Sequence, residues 1–320
     1  MKAIKLILWC WVIIISLSIV SCTNKSPKTI RIGILNGPSA VSFIQMIDQP
    51  QTIGGMKTEI IVKSEPMQIQ AMMMQGELDF AILPTVMAAN LFNKGLKYKM
   101  LACPIWGTLY LLENQSSKKI STLNGQTIYV FGQATTSDIL LRQLIQKKAI
   151  SDVKIDYKYS TNHELSQALL NKKIKLAVIS EPLVSHLLSQ DPSIQIIAKI
   201  ECEEFVSKVE KDIFVQTAFI VSDRFSKEYP SLVEQVSDAY ASSCDFTNNQ
   251  PEIAAQLLVS HKFSSNINVA RRSIPLCSIR YMEAYVLESE LNRYLHIFYD
   301  YDPKSIGGKI PGSDFIYQMY

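Results

Sequence analysis

Short polar loops follow several apolar, strand-like runs of the sequence, and their side chains suit the binding of a small molecule. Thr135, Thr136 and Ser137 open a helix-like segment, where hydroxyl groups and free backbone N–H groups can hydrogen-bond a ligand. Capping of that helix by the same hydroxyls explains them equally well. Glu181 follows another run and offers a carboxylate to an amine or a ring donor, unless it joins two parts of the chain or lies in solvent.

These loops and one Trp-Gly-Thr stretch supply the candidate ligand contacts. Trp106 can stack on a flat ligand or fill the core. The loops contain no Lys or Arg, which favours a neutral or cationic heterocyclic ligand over a strong anion, although helix termini alone can hold anions. The candidate ligand-binding residues are Asn36, Gly37, Pro38, Ser39, Pro84, Thr85, Trp106, Gly107, Thr108, Gln133, Ala134, Thr135, Thr136, Ser137 and Glu181.

The loops recur because one layout of strand, loop and helix occurs twice. A single register places Ser39 on Thr135 and residues 80–83 on residues 176–179, with few identities. Short β-branched runs separated by helical periods predict βαβ units, and hence a parallel sheet in each half. Ligands bind at the carboxyl ends of such strands. We therefore expect two similar lobes that bury a small ligand between them.

The sequence predicts an α/β fold with two lobes. The first lobe is discontinuous and comprises residues 29–115 and 217–320, and the second comprises residues 116–216. Two apolar segments, 103–113 and 212–225, are predicted strands that link the lobes as a two-strand hinge, which permits closure like a clamshell. Helices that cover the first lobe are predicted at 227–246, 250–260 and 279–301.

The N-terminal segment predicts export and lipid anchoring. Lys2 and Lys5 precede an apolar stretch and a lipobox-like sequence that ends at Cys22, which resembles bacterial lipoprotein signal peptides. We expect residues 1–21 to be a signal peptide and residues 22–28 a linker with a palmitate-type lipid on Cys22. The remainder would lie in the extracytoplasmic cell envelope, facing the periplasm in a Gram-negative cell. An uncleaved signal-anchor helix is the alternative.

Charge and cysteine spacing give no support for nucleic acid or metal binding. The formal net charge is +3 and falls close to zero without the two leader lysines, so no electrostatic case for nucleic acid exists. Cys103, Cys202, Cys244 and Cys277 have no CxxC or Cys/His ligand spacing, and we expect neither a metal site nor a cofactor. A Cys244–Cys277 disulfide and buried free thiols are equal alternatives.

A family resemblance rests on four segments of the mature chain. These are GELDFAILPTVMAANLFNKG, LNGQTIYVFGQATTSDILLRQLI, AVISEPLVSHLL and PKSIGGKIP. They resemble extracytoplasmic solute-binding proteins of ABC importers for nitrate, sulfonate, taurine and thiamine pyrimidines, over residues 29–317. The resemblance implies a type II periplasmic-binding fold and a monomer that catalyses nothing. It also implies delivery of a small-molecule ligand to an ABC permease with its ATPase subunit.

Two other functions are compatible with the same resemblance. Biosynthetic enzymes of the thiamine and menaquinone pathways share the two-lobed fold, and a lipid-anchored ligand sensor would use the same cleft. The leader disfavours an enzyme, and the sequence contains no cysteine-rich catalytic motif, G-x-S-x-G elbow or P-loop. The sequence separates the importer subunit poorly from the sensor.

Overall fold

The computed structural model describes residues 29–114, 123–200 and 214–318. The predicted signal peptide, the Cys22 anchor and Cys202 lie outside these residues. The strands are β1 (Thr29–Leu35), β2 (Thr52–Ile53), β3 (Met56–Lys63), β4 (Phe80–Pro84), β5 (Tyr98–Ile105), β6 (Leu109–Asn114), β7 (Thr127–Tyr129), β8 (Lys154–Asp156), β9 (Leu176–Ser180), β10 (Ile194–Lys199), β11 (Thr217–Ser222) and β12 (Ile279–Glu283).

Helices connect most of these strands. They are α1 (Pro38–Ser42), α2 (Ile44–Asp48), α3 (Pro66–Met74), α4 (Thr85–Asn93), α5 (Thr136–Lys147), α6 (Asn162–Leu170), α7 (Leu183–Gln190), α8 (Asp223–Glu228), α9 (Pro230–Asn249), α10 (Pro251–Ser260), α11 (Ile267–Leu276) and α12 (Glu288–Tyr301). Short 3₁₀ turns at Ala284–Leu287, Pro303–Ile306 and Ser313–Phe315 complete the C-terminal region.

The strands form two separate sheets, which confirms the predicted two-lobed α/β fold. The larger sheet has the order β12-β5-β11-β4-β1-β3-β2, and the smaller has the order β10-β6-β9-β7-β8. We call the larger sheet with its helices the large lobe. The small lobe is the smaller sheet with α5, α6 and α7, which lie between its strands in the chain.

The two lobes repeat one topology, as the sequence register predicted. In the large lobe β1 pairs in parallel with β3 and β4, and in the small lobe β7 pairs in parallel with β8 and β9. An antiparallel strand then joins each parallel trio, β11 on β4 and β6 on β9. Each of these antiparallel strands comes directly after the chain has crossed from one lobe to the other. The segment that leaves a crossing therefore also forms a strand of the sheet that it enters.

The first crossing lies earlier than the sequence indicated. Residues 103–113 do not form one strand, because β5 ends at Ile105 and β6 begins at Leu109 in the other sheet. The chain leaves the larger sheet at residues 106–108 and not at the boundary expected at residue 115. Every residue of β6 is buried, and so are residues 106–108, where the chain changes sheets. Because the apolar run is continuous, its pattern does not indicate where one strand ends and the next begins.

The C-terminal prediction of one helix over 279–301 is wrong at its start. Ile279–Glu283 form strand β12, which pairs with β5 at the edge of the larger sheet, and helix α12 begins only at Glu288. The open edge of β5 supplies hydrogen-bond partners that the local sequence does not reveal. The predicted helices at 227–246 and 250–260 correspond to α9 and α10, and both begin with a proline at the first helical position.

Apolar side chains from both faces of the sheets form the core. Along β4, Phe80 and Ile82 pack in one core cluster with Ile30, Ile32 and Ile34 of β1, whereas Ala81 and Leu83 pack in another, as expected for a strand covered on both sides. Cys103, Cys244 and Cys277 are buried free thiols, so the disulfide alternative for Cys244 and Cys277 is wrong and the free-thiol alternative is correct. In the described ranges, no helix combines the length and apolar composition needed to cross a membrane.

Candidate functional site

A cavity of about 610 Å³ lies between the two sheets. Residues at or just after the carboxyl ends of β1, β4, β7 and β9 line it, which is where ligands bind in sheets of this kind. Its volume falls within the range of about 300–1,000 Å³ that is typical of small-molecule sites. Both lobes contribute to the wall, so a bound molecule would contact each of them.

The structure brings most of the predicted binding residues into this wall. The predicted residues that line the cavity are Asn36, Pro38, Ser39, Pro84, Thr108, Ala134, Thr135, Thr136 and Ser137. The others lie outside the lining, and they are Gly37, Thr85, Trp106, Gly107, Gln133 and Glu181. Ligand contact by the first group stays a prediction, whereas the second group has other surroundings, described below.

The start of α5 forms the small-lobe wall of the cavity. Thr135 caps the helix, because its Oγ1 accepts a hydrogen bond from the Asp138 N–H at 3.4 Å. Asp138 is fully buried, and its carboxylate accepts from the Ala134 N–H at 2.8 Å, from Arg142 Nε at 2.9 Å and from the Tyr157 hydroxyl at 2.7 Å. The capping explanation is therefore correct for Thr135, and Thr136 and Ser137 present the remaining hydroxyls.

The turn before α1 forms the facing wall in the large lobe. Pro38 occupies the first position of α1, and the buried Ser39 follows it in the lining. Gly37 has φ of 108°, a backbone conformation that glycine adopts at low cost. A Cβ atom at Gly37 would lie 3.5 Å from Pro182 of the small lobe, so this turn lets the two lobes approach closely.

The two chain crossings are tied to each other at the floor of the cavity. Gln216 Nε2 donates to Thr108 Oγ1 at 2.9 Å, and the Gln216 carbonyl accepts from the Thr85 N–H at 2.9 Å. Thr85 is fully buried at the start of α4, and its Oγ1 has no partner among the described residues. Gly107 is also buried. Thr85 and Gly107 therefore build the crossing region behind the cavity wall.

Glu181 joins the two lobes and does not face the cavity. Its carboxylate accepts hydrogen bonds from Ser185 of the small lobe and from Ser273 of the large lobe, each at 2.9 Å. Only 2% of the residue is exposed, and this burial raises the pKa of its carboxyl group to about 7, although both serine bonds act in the opposite direction. The interlobe alternative for Glu181 is the one that its contacts match.

Trp106 is a core residue, the second of its two alternatives. Its side chain is 9% exposed and packs in the core cluster, and its Nε1 donates to the Arg280 carbonyl oxygen at 2.6 Å. This bond joins the first crossing to β12. Gln133, by contrast, is exposed in the loop before α5.

Further contacts hold the lobes together on either side of the cavity. The Tyr110 hydroxyl donates to the Leu276 carbonyl at 2.7 Å, and the Lys199 ammonium donates to the Ser278 hydroxyl on the same side. On α5, the Arg142 guanidinium lies 5.9 Å from the centre of the Tyr301 ring of the large lobe, a cation–π distance. The lobes are therefore in contact around the cavity, as in a closed clamshell.

Sequence reasoning missed much of the apolar lining. Phe131, two residues after the end of β7, lies in the lining and is partly exposed. Phe298 of α12 and Ser305 also reach the cavity from the C-terminal region that was predicted only to cover the large lobe. The signal for Phe131 was its place at a strand end. The other missed lining residues are Leu35, Pro66, Gln70, Ile82, Leu83, Val86, Met87, Asn90, Ile105, Leu109, Ser180, Gln216 and Thr217.

With this geometry in place, comparison with known proteins identifies the family. The family model described as NMT1/THI5 like matches residues 52–254. The chain belongs to the NMT1/THI5-like family. A comparison with curated proteins finds no match in sequence.

Solved structures related to this NMT1/THI5-like chain share its fold. An ABC transporter protein from Parabacteroides distasonis is 31% identical, with a TM-score of 0.82, covering 92% of this chain and 100% of the other. The periplasmic aliphatic sulphonate binding protein SsuA of Escherichia coli has 15% identity and a TM-score of 0.72, covering 92% and 94%. The periplasmic nitrate-binding protein NrtA of Synechocystis PCC 6803 has 12% identity and a TM-score of 0.57, covering 78% and 70%.

The last two structures have the same fold as this NMT1/THI5-like chain, and at these identities the similarity shows the fold alone. The first is a relative over its whole length and is described as an ABC transporter protein. The predicted family resemblance and the periplasmic-binding fold are therefore confirmed.

Proposed function

We propose that the protein is the substrate-binding subunit of an ABC importer, which captures one small organic molecule between its lobes and passes it to a membrane permease. In this proposal the chain is a monomer, lies outside the cytoplasm and is anchored through a lipid on Cys22. It catalyses no reaction. The ATPase subunit acts on the cytoplasmic side and does not contact the bound molecule.

The cavity between the lobes is the observation that carries this proposal. Its wall contains Ser39 of the large lobe and Thr136 of the small lobe, so a molecule held there bridges both. Closure around a ligand then changes the surface that both lobes present together, which gives a permease a means to distinguish the loaded form.

The lining argues for binding over catalysis. Among the described residues, every side chain in the cavity wall is apolar, a hydroxyl or an amide, and none is ionisable near neutral pH. General acid–base catalysis needs a group that exchanges protons near the working pH. Two carboxylates directly follow lining residues in the sequence, and both are already bonded to the protein. Glu181 accepts from Ser185 and Ser273, and Asp138 accepts from Ala134, Arg142 and Tyr157.

A capture experiment with a cavity-blocking variant tests the proposal. The full chain, purified in mild detergent, is incubated with a bacterial small-molecule extract and repurified, and the released molecules are identified by mass spectrometry. Thr136→Trp places an indole in the cavity wall. The wild-type protein is expected to retain one species at a ratio near one per chain, and Thr136→Trp is expected to lose it.

The matched control is Thr52→Trp, at an exposed position of the edge strand β2 and outside the lining. It should retain the same species as the wild-type protein. Retention by Thr136→Trp at the wild-type level, or retention of no small molecule by the wild-type protein, would contradict capture in this cavity. Conversion of the retained species during the incubation would instead favour the biosynthetic enzyme.

A further inference from the structure

We infer that the ligand is an uncharged, largely apolar organic molecule with a flat face and a small number of hydrogen-bonding groups. This inference rests on the proposed function, because it assigns the class of molecule that the cavity between the lobes takes. The sequence of the polar loops predicted a neutral or a cationic ligand, and this inference keeps only the neutral one.

The part of the cavity wall that the structure describes offers no counter-ion to a charged ligand. Within the described ranges, no Lys, Arg, His, Asp or Glu side chain lines it. A charged group that leaves water for a closed cleft loses several kcal/mol of hydration unless an opposite charge or several strong donors replace the water. A sulfonate, a phosphate or an ammonium group would therefore bind weakly here.

The start of α5 does not compensate for a missing cation. A helix start attracts anions through its free N–H groups and its dipole. Here the Asp138 carboxylate accepts from the Ala134 N–H at 2.8 Å, and the Asp138 N–H is bonded to Thr135. The Asp138 carboxylate, which is also paired with Arg142, therefore occupies donors beside the lining residue Ser137 that an anionic ligand would otherwise use.

Glu181 does not serve a cationic ligand either. Its two carboxylate oxygens accept from Ser185 and Ser273, and the residue lies outside the lining. The carboxyl group is also buried between the lobes. A cationic ligand would have to break this interlobe contact to reach it.

Most lining polar groups are already bonded to the protein. Asn90 Nδ2 donates to the carbonyls of Lys304 and Ser305, at 2.9 and 3.0 Å, and its Oδ1 remains as an acceptor. Thr217 and Ser305 donate to the carbonyls of Ile105 and Phe298. These bonds fix the wall and leave a short set of groups for a ligand.

The remaining side chains come from both lobes, and they are Asn36 and Ser39 at the start of α1 and Thr136 and Ser137 at the start of α5. Gln216 Oε1 is a further acceptor of the lining, buried and without a partner among the described residues. Hydroxyls and amides both donate and accept, and they suit uncharged carbonyl, hydroxyl, amide or ring-nitrogen groups.

The apolar part of the wall includes an aromatic ring placed for stacking. Phe131 lies in the lining, is partly exposed and belongs to none of the described aromatic pairs or core clusters. Leu35, Val86 and Met87 line the same cavity from the large lobe. A flat apolar molecule would bury its face against Phe131, and aromatic contacts of this kind stabilise binding beyond the burial of apolar area.

Titration with sets of related probes that carry different charges tests the inference. The probes are nicotinamide, nicotinate and the cation 1-methylnicotinamide, together with riboflavin and riboflavin 5′-phosphate, each measured by calorimetry with the full chain. The molecule that the protein retains from the extract is a further test, because its identity gives its net charge. We expect the uncharged member of a set to bind at least about tenfold more tightly than its charged partners, and the retained molecule to be uncharged.

Two variants locate the charge selectivity in the cavity wall. Met87→Lys places an ammonium group in the lining and should reverse the preference toward nicotinate or the phosphate ester. Met74→Lys makes the same change at a position that is 66% exposed at the end of α3 and should behave as the wild-type protein.

A second pair of variants tests stacking on Phe131. Phe131→Ala should weaken the binding of the uncharged member about tenfold, whereas Tyr285→Ala, 47% exposed and outside the lining, should not.

The outcomes separate this inference from the proposed function. Tighter binding of an anionic or cationic probe by the wild-type protein, or retention of a charged molecule from the extract, would overturn the inference and leave the importer subunit in place. Unchanged charge preference in Met87→Lys would also overturn it. Retention of no small molecule at all would count against the proposed function itself.

Discussion

Individual side chains around the cleft divide into those that hold the protein together and those that are available to a ligand. Glu181, Trp106 and Thr135 each had two alternatives in the sequence, and each is engaged by protein partners in the structure. Sequence alone did not decide between the alternatives, because the partners Ser273 and Arg280 are distant in the chain and no local pattern connects them.

Glu181 makes stability depend on pH. Its pKa is raised from 4.5 to about 7 by burial, so the folded protein keeps a proton that the unfolded chain releases in this interval. The free energy of unfolding should therefore fall as pH rises through this window, by up to about 3 kcal/mol from this group. Glu181→Gln removes the contribution. Urea unfolding measures this difference. Between pH 4 and pH 8, the free energy of unfolding of Glu181→Gln relative to that of the wild-type protein should rise by up to this amount.

The exposed Glu77 provides the control for that measurement. Glu77→Gln should follow the wild-type pH dependence. A difference between Glu181→Gln and the wild-type protein that is the same at both pH values would show that Glu181 titrates normally and that its burial between the lobes is wrong.

At the scale of elements, the repeated layout was predictable and the connections were not. Residues 80–83 and 176–179 fall within β4 and β9, as the register required. The periodicity of an apolar run, however, is the same whether the run forms one buried strand or two. The change of sheets at residues 106–108 and the strand β12 both depend on which strand edges are open, and this is a property of the assembled sheet.

The start of α5 depends on Asp138. Its carboxylate accepts from Ala134, Arg142 and Tyr157 while fully buried. Asp138→Asn places an NH₂ group against one of these donors, and we expect a loss of about 2 kcal/mol in the free energy of unfolding because a buried donor is left unsatisfied. Urea unfolding at pH 7 measures it, with Asp238→Asn on the exposed face of α9 as the control. Equal stability of the two variants would show that Asp138 is not part of a buried network.

Considered as a whole molecule, the protein is two copies of one half-site that meet around a cavity. Ser39 and Thr136 lie on opposite walls, each at the start of the helix that follows the first parallel strand of its lobe, β1 or β7. The sequence predicted this meeting because the layout recurs. It did not predict that α12 and the C-terminal turns also reach the cavity, since an amphipathic helix pattern does not specify which surface the helix covers.

Anchoring is a prediction for the whole molecule as well. Cys22→Ala removes the thiol that would carry the lipid, so we expect the protein to move from the membrane fraction to the soluble extracytoplasmic fraction and to lose incorporation of labelled palmitate. Cys10→Ala, within the predicted signal peptide, should leave both readouts unchanged. If the two variants fractionate alike with the membrane, the signal-anchor alternative is favoured.

The central claim is that the lobes close on a small molecule, and the distance between them tests it most directly. Met67 lies in the first turn of α3 in the large lobe and His163 in the first turn of α6 in the small lobe, and both are exposed. Nitroxide labels on unnatural amino acids at these positions allow double electron–electron resonance. We expect a broad distribution for the ligand-free protein that narrows to one short distance when the retained molecule is added. An identical distribution with and without that molecule would contradict the claim.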